Sequence, residues 1–596
     1  MKDGIGWTTG ITVSLLAGLL VCGGLWDAAW AQEKTGHKNH VTKHGVDVDL
    51  RSQGRQIADE LAENGNNIGS DEQGEHGDHN GNDDGNNRRR GADVQVNDPG
   101  LDNIQIFAGF RPFVKFTQSE TSIAADGQNI VVGYNSSANQ PLQLSAAGVL
   151  SFTRRFLSAF STSSNGGRSW TSGFVPPVRG SIFTFGDPVV AVDRHGNFYY
   201  SALGANASAR TTVQVNKSTN GGQTWSDAVV VQQDDGGDKD WLAVGPDPVT
   251  KSRDNIYVTW TSFQATGQQL RFGRSTDGGA TWTAKTIFAP TADADPTHPQ
   301  NSLQFTNPVV DPKTGRLYIP FARFSNSDQD FLQVLASDDA GETFSFLTFN
   351  VSGAPDPTVL TVTQPGELID CRSGGTRLAI HAGAPTAGRF GLRSFVHATR
   401  LTIQPAFAAR NGVLYMAWSN STSLVFGDPN GGSNILFVRS TDGGHSWSAP
   451  AQVNPTVSGD NHHVLPALAI DEDGNDVHIT YYTQHADGTV DLDMANSHDR
   501  GRTFPSRRVA RVSDTPSALT PSNNQLTATT STNFDRTIQA CYDLGEYQSV
   551  ITADGSVYVA WGDNRNTVTE PVNVLDPLSG QTHPQPDVFF QKVKTQ

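Results

Sequence analysis

From Asp93 onward the chain is written in short runs of alternating apolar and polar residues broken by Gly, Asp and Asn, the pattern of half-buried strands joined by tight turns. One phrase recurs, in which apolar-x-apolar is followed by a turn and then by a run ending in Tyr, Phe or Trp. It spans 121–134, 188–200, 241–260, 308–321, 405–418, 466–482 and 548–561. Each copy predicts a hairpin of two strands. After each of the first six comes a third strand, such as Ile435-Leu-Phe-Val-Arg-Ser440, which runs into a tight turn, and a fourth strand leaves it, such as Ala451-Gln-Val-Asn454. The last copy has only a third strand, Asp587-Val-Phe-Phe-Gln-Lys-Val593, but Asp93-Val-Gln-Val-Asn97 reads like the missing fourth.

Four-stranded antiparallel units at a period of about 55–60 residues predict propeller blades. The expected fold is all-β: a seven-bladed β-propeller of four-stranded antiparallel blades, closed by an N-terminal strand that removes two open sheet edges. The turn between third and fourth strands carries a phrase of its own. It reads Ser218-Thr-Asn-Gly-Gly-Gln-Thr-Trp225, Ser275-Thr-Asp-Gly-Gly-Ala-Thr-Trp282 and Ser440-Thr-Asp-Gly-Gly-His-Ser-Trp447, with looser copies at 163–170, 337–344 and 497–504. In this skeleton Asp or Asn is expected to bond the backbone two residues on, Gly to take a positive φ, and the aromatic to plug the turn from beneath. The phrase resembles the Asp-box (BNR) repeat of sialidase-like β-propellers, and the resemblance covers about residues 93–593.

The N terminus reads differently. Lys2, a hydrophobic stretch from Ile11 to Trp26 and Ala29-Trp30-Ala31 form a secretory signal over 1–31, so the mature chain is expected to be secreted or periplasmic. A lipid anchor would use Cys22, but Val21 is large for the residue before such a cysteine. Residues 32–92, rich in Asn, Gly, Asp and His, hold little apolar surface and read as a disordered tether. Its histidines (His37, His40, His44, His76, His79) read as a solvated tail, with loose metal binding the alternative. No other stretch has the length of a membrane span. The net charge of −17, from 43 basic and 60 acidic residues, argues against nucleic acid or an anionic membrane as a partner, since phosphate binding needs a basic surface.

Two insertions break the period, at 351–402 and 514–545. Both fall at crossings between units, on the face opposite the Ser-x-Asp/Asn turns. Each carries a cysteine of the mature chain, Cys371 and Cys541, which a disulfide could join; two buried thiols are the alternative. Long insertions on one face mark it as the functional one. Side chains just before the first strands would line the mouth of the central channel there.

The candidate catalytic set is Glu120, Asp187, Asp240, Glu546 and Tyr547. The candidate substrate-binding set is Arg323, Arg565, Asp563, His463 and Trp241. Acids paired across a concave mouth suit glycoside hydrolysis, and arginine forks suit a carboxylate. The resemblance implies a sialidase-like glycoside hydrolase acting on a glycan or glycoconjugate; the alternative is a non-catalytic carbohydrate- or protein-binding propeller. This sequence departs from the sialidase pattern in three ways. The first unit begins Gln118-Ser-Glu-Thr-Ser-Ile123 without an arginine, Phe110-Arg111-Pro112 precedes the strand and lacks the isoleucine, and Glu546 and Tyr547 are adjacent. No zinc spacing, phosphate loop or nucleophile elbow occurs in its required context, so no cofactor and no metal is expected, and the chain is read as a monomer.

Overall fold

The computed structural model describes residues 40–43, 46–52, 55, 58, 93–101, 118–144, 150–349, 356–364, 366–367, 400–401, 404–426, 431–457, 460–485, 489–513, 544–569 and 582–594. The expected signal, Cys371, Cys541 and most of both insertions lie outside these residues, and with them the disulfide.

The described chain is all-β, and its strands pair in consecutive antiparallel sets. Set A comprises Gln118–Asp126, Asn129–Asn139, Arg155–Ser163 and Thr171–Phe174. Set B comprises Phe183–Val192, Phe198–Ala205, Thr211–Ser218 and Val229–Gln233. Set C comprises Gly237–Pro246, Asp254–Gln264, Gly267–Ser275 and Thr283–Phe288. Set D has a split first strand, Leu303–Gln304 and Val309–Val310, then Leu317–Arg323 and Asp330–Ser337. Its outer edge is also split, into Ser345–Phe346 and Leu360–Val362, so the first part of the expected insertion belongs to this sheet.

Set E comprises Ala406–Arg410, Val413–Ser421, Ser433–Ser440 and Ala451–Gln452. Set F comprises Asp460–Ile470, Val477–His485, Val490–Ser497 and Ser506–Ser513. Set G comprises Ser549–Ala553, Ser556–Thr569 and Thr582–Lys594, and its fourth strand is Val94–Gln95, with Val94 opposite Phe590 and Gln95 opposite Phe589. Short parallel bridges, Phe183 to Arg155 and Ser433 to His462, join A to B and E to F.

Why these residues make these sheets follows from the second strands. Each carries an aromatic that is wholly buried: Tyr134, Tyr200, Trp260, Phe321, Trp418, Tyr482 and Trp561. A buried Tyr or Trp also needs a partner for its polar tip. Tyr200 donates to Ala159 O of set A (2.9 Å) and Tyr482 to Gly562 O of set G (3.0 Å), so the same side chains that fill the core tie neighbouring sets together. Polar ties continue round the chain. Val190 N–H donates to Ser122 Oγ (B to A, 2.9 Å), the Thr259 and Thr306 hydroxyls meet (C to D, 2.8 Å), and Asn307 donates to Pro405 O (D to E, 3.2 Å). Leu465 N–H donates to Ser419 Oγ (F to E, 3.0 Å), and Thr121 donates to Ala560 O (A to G, 2.7 Å).

The recurring turn differs from expectation in its wiring. In 275–282 the Ser275 hydroxyl donates to Asp277 Oδ1 (2.8 Å) and accepts from Gly279 N–H (2.9 Å). Asp277 accepts from the backbone N–H and hydroxyl of Thr281, four residues on, not two. The aromatic stays on its own turn, where Trp170 donates to Gly167 O and Trp282 to Gly279 O (both 3.2 Å), and it also reaches a neighbouring set. Trp170 meets Phe590 of set G (5.0 Å between ring centroids), Trp225 meets Phe160 of set A (5.7 Å), Phe344 meets Phe272 of set C (5.2 Å) and Phe504 meets Phe437 of set E (5.0 Å). Each turn packs on the preceding set, and the first packs on the last.

Within the stretch expected to be a tether, the described residues 40–43, 46–52, 55 and 58 enter the fold. His40–Lys43 and Val46–Asp49 form an antiparallel hairpin, and Val41, Leu50 and Ala58 are buried. Lys43 makes a fully buried ion pair with Asp330 (2.8 Å), which also accepts from Gln364 (2.6 Å). Composition argued for disorder because it counts apolar residues; a few placed against existing cores suffice here.

Gly167 has φ +86° and a Cβ there would lie 2.5 Å from the Phe590 ring, whereas at Gly279 (φ +85°) the nearest atom would be 3.6 Å away. Gly279→Ala should therefore cost only the left-handed strain, about 1–2 kcal/mol. Gly167→Ala should add about 1–3 kcal/mol of overpacking at the junction of sets A and G. Denaturant unfolding of both variants measures the difference, and equal losses would contradict the packing of A on G.

Candidate functional site

The first strands do not run straight. Pairing registers slip between Ser119 and Ser122, Gly186 and Val189, Asp238 and Trp241, and Val464 and Ala467. At each slip one residue holds a positive φ: Glu120 (56°), Asp187 (58°), Lys239 (49°) and Leu465 (53°), and Phe305 (63°) and Gly545 (89°) do so in sets D and G. A bulge re-aims a side chain out of the strand's alternation. Glu120, Asp187 and Asp240 therefore lie within the first strands, not before them, whereas Glu546 precedes the first strand of set G, as expected.

These bulges bring side chains from successive sets into one buried cluster. Asn135 Nδ2 donates to Glu120 Oε2 (2.8 Å), while Asn135 Oδ1 accepts from Asp187 N–H (3.1 Å). Asp187 Oδ2 accepts from Lys239 N–H (3.2 Å) and from the Ser52 hydroxyl. Ser52 N–H donates to Asp238 Oδ2 (2.9 Å), which also accepts from Gln304 Nε2 (2.7 Å). From the other side Glu546 N–H donates to Glu120 Oε1 (3.3 Å); a Cβ on Gly545 would stand 2.5 Å from Glu120 N, so only glycine lets this loop approach. Glu120, Asp187, Asp238, Lys239 and Asp240 are all completely buried.

Burial governs the electrostatics. It pushes the Asp187 carboxyl up to about 6, with Glu120 adding to the rise, and the Asp238 carboxyl up to about 7, with Asp187 adding to it. Asp240 is driven well above the usual carboxylate range, again by burial, against the opposing Ser201 hydroxyl. Lys239 is pushed down by burial and held up by Glu120 and the three aspartates. Its Nζ has no hydrogen-bond partner among the described residues; it sits 3.4 Å from the Tyr547 ring centroid and 5.1 Å from that of Trp241, a desolvated cation–π arrangement.

Of the sequence-predicted residues, Glu120, Asp187, Asp240, Glu546, Tyr547 and Trp241 come together here. Tyr547 faces the cluster with its ring, because its hydroxyl donates to Pro188 O (3.1 Å), an orientation unlike that of a nucleophile. The others serve the frame. Arg323 is buried and donates to Ser302 O (3.1 Å), Gln333 Oε1 (3.0 Å) and Gln300 O. Arg565 clasps Asp563 (2.6 Å) and Asp93 (2.7 Å), locking the N-terminal strand to set G, and Asp563 also accepts from the Trp561 indole (2.7 Å). His463 Nδ1 engages the Thr483 hydroxyl (3.0 Å). Strand ends placed these four near the mouth in sequence, but their partners lie within the sheets.

Asp238 stood outside both candidate sets, and four further members were missed: Lys239, Asn135, Ser52 and Gln304. Gly237-Asp-Lys-Asp-Trp241 offered a signal for the lysine, since a cation between two acids at a strand start invites a buried role. Nothing around Ser52 announces a contact with Asp187. On the turn side, a cleft of about 310 Å³ is lined by Asp193, Tyr199, Lys217, Arg253, Asp254 and Asp277. Its polar groups are engaged with one another and with the turns, as in Asp193 with Asn197 (2.8 Å) and Tyr199 (3.0 Å).

No family model matches the sequence, and no curated protein does. Among solved structures the chain is similar to a protein of unknown function from Dyadobacter fermentans (12% identity, 70% of this chain and 97% of that one, TM-score 0.38). It is also similar to a sialidase of Trypanosoma rangeli in complex with sialic acid (13%, 85% and 57%, 0.34), and to a PL25 ulvan lyase (10%, 80% and 96%, 0.42).

Carboxyls raised by burial make the fold bind protons that the unfolded chain releases near pH 4, so Asp187 and Asp238 contribute a loss of stability as pH rises from about 4 to about 7. The turn aspartates Asp277 and Asp442, held low by hydrogen bonds from Thr281 and Ser446, gain their effect below that window. Asp187→Asn and Asp238→Asn should each flatten the fall in unfolding midpoint between pH 4 and 7; an unchanged slope would contradict the assignment. Separately, Arg565→Met leaves Asp563 buried without its cation and should cost about 3–5 kcal/mol, read by denaturant titration.

Proposed function

We propose that sets A to G are the seven blades of a closed β-propeller carrying Asp-box turns, and that the chain is an exported glycan-directed protein with glycoside hydrolase-type acid/base chemistry at the carboxylate cluster on its axis. The unbroken series of ties between neighbouring sets, with A bonded to G, supports the closure. The residues 1–31 support export.

One observation carries the chemistry. Carboxyls from adjacent sets, Asp187 and Asp238, both reach the same small residue, Ser52, one through its hydroxyl and the other through its N–H. Two acids that converge on one hydroxyl-sized group, with burial holding a proton on one of them at neutral pH, are the equipment of glycosidic cleavage. In this reading Asp238 is the proton donor and Asp187 the base or nucleophile. Glu120, held by Asn135, sets the charge beside them, and Lys239 balances negative charge as it develops. Both arginines expected to hold a substrate carboxylate, Arg323 and Arg565, are committed to the frame, so sialidase chemistry is the less supported form.

The second reading, a propeller that binds a glycan without cleaving it, is favoured by the complete burial of the acids. A panel of glycosides separates the two. The hydrolase reading expects turnover that falls about 10²–10⁴-fold in Asp187→Asn and in Asp238→Asn with binding retained. Binding with no turnover on the panel would favour the second reading, and turnover indifferent to both substitutions would remove the site.

A further inference from the structure

The cluster is occupied by the chain itself. Leu50 and Ser52 lie over it: Gln304 Nε2 donates to Leu50 O (2.8 Å), and Ser52 supplies a hydroxyl to Asp187 and an N–H to Asp238. Arg55 adds a cation, with Nη1 donating to Gly237 O (3.3 Å). The segment is fastened at its other end by the buried Lys43–Asp330 pair. Every contact that Ser52 makes with the two carboxyls is a donated hydrogen bond, and none brings an anion.

What remains unsatisfied points the same way. Among the described residues Asp187 Oδ1, Asp238 Oδ1, both Asp240 carboxyl oxygens and Gln304 Oε1 are buried oxygens without a hydrogen-bond partner, and Lys239 Nζ and Ser201 Oγ are buried donors in the same state. Unmade hydrogen bonds of buried groups cost about 1–3 kcal/mol each. A molecule rich in hydroxyl or ammonium groups relieves several of them. A carboxylate or sulfate would enter among Glu120, Asp187, Asp238 and Asp240, and each of these that is ionised repels it by about 4 kcal/mol at 4 Å and an effective dielectric of 20.

We propose that the axial cluster takes a hydrogen-bond-donating ligand without negative charge, a neutral or amino sugar, and that Ser52 holds the place of one of its hydroxyls until the ligand displaces the 46–52 segment. This rests on the glycan reading above and narrows it to a substrate class, setting it apart from a sialic acid or a uronate. The bound segment competes with the ligand, so apparent affinity is reduced by the fraction of molecules that are open.

The test is calorimetric binding of three tetrasaccharides, tetra-N-acetylglucosamine (neutral), tetraglucosamine (cationic) and tetragalacturonate (anionic), to the full chain and to Ser52→Ala. The expected result is binding of the neutral or cationic oligomer, about tenfold or more tighter in Ser52→Ala, which lacks one of the competing hydrogen bonds, with the anionic oligomer weakest. Because a substitution in a buried segment can disturb folding, amide hydrogen exchange on the unaltered chain is the second measurement: the saturating oligomer should raise exchange across 46–52. Tightest binding of the galacturonate, binding of none of the three to either protein, or binding that leaves exchange at 46–52 unchanged would each overturn the proposal. Turnover separates it from the enzyme reading. A cleaved galacturonate would overturn the ligand class and keep the hydrolase, whereas neutral-sugar binding without cleavage would keep the class and remove the hydrolase.

Discussion

The structure depends on a backbone distortion repeated in the first strands. A residue held at positive φ inside a bulge turns Glu120, Asp187 and Lys239 away from the strand's alternation and toward one point. A left-handed non-glycine residue costs about 1–2 kcal/mol, so several in one chain persist only where the surroundings over-determine them. Here they do. The Asn135 side chain accepts from the Asp187 backbone, the Asp187 carboxylate accepts from the Lys239 backbone, and each bulge is held by the set before it.

Gathering acids in this way creates an electrostatic problem that the fold solves only in part. Four carboxyls and one lysine, all cut off from water, share few hydrogen bonds, and burial answers by raising carboxyl pKa values and lowering that of the lysine. The aromatic faces of Tyr547 and Trp241 give Lys239 a counterpart that no side-chain hydrogen bond supplies. Ser52 quiets two more oxygens. Such a site is held away from its lowest energy, which is the condition under which a ligand or a proton transfer gains from entering.

Much of the fold was legible because its code is local and repeated. Strand alternation, the hairpin phrase and the Ser-x-Asp/Asn turn each depend on neighbours within ten residues, and the pairing of Val94 with Phe590 was readable because the strand missing at one end has a counterpart at the other. The site was legible only as a region. Glu120, Asp187 and Asp240 were found because they precede apolar runs at matching places in successive repeats. Arg323, Arg565, Asp563 and His463 occupy equally suggestive places, yet the partners of Arg323 and His463 (Gln333 and Thr483) sit in other strands, Asp563 is held by Trp561 two residues away, and Arg565 is held by Asp93 at the far end of the chain.

The amino-acid sequence by itself determined the all-β character, the succession of four-stranded units and the chemistry of their turns, since hydrogen bonding and side-chain alternation within a strand are decided over a few residues. Tertiary structure alone decided which acids meet, that a lysine stands among them, and that a segment poor in apolar residues covers them. Those outcomes turn on a one-residue slip in strand register and on contacts across more than a hundred residues, and neither leaves a periodic mark in the chain.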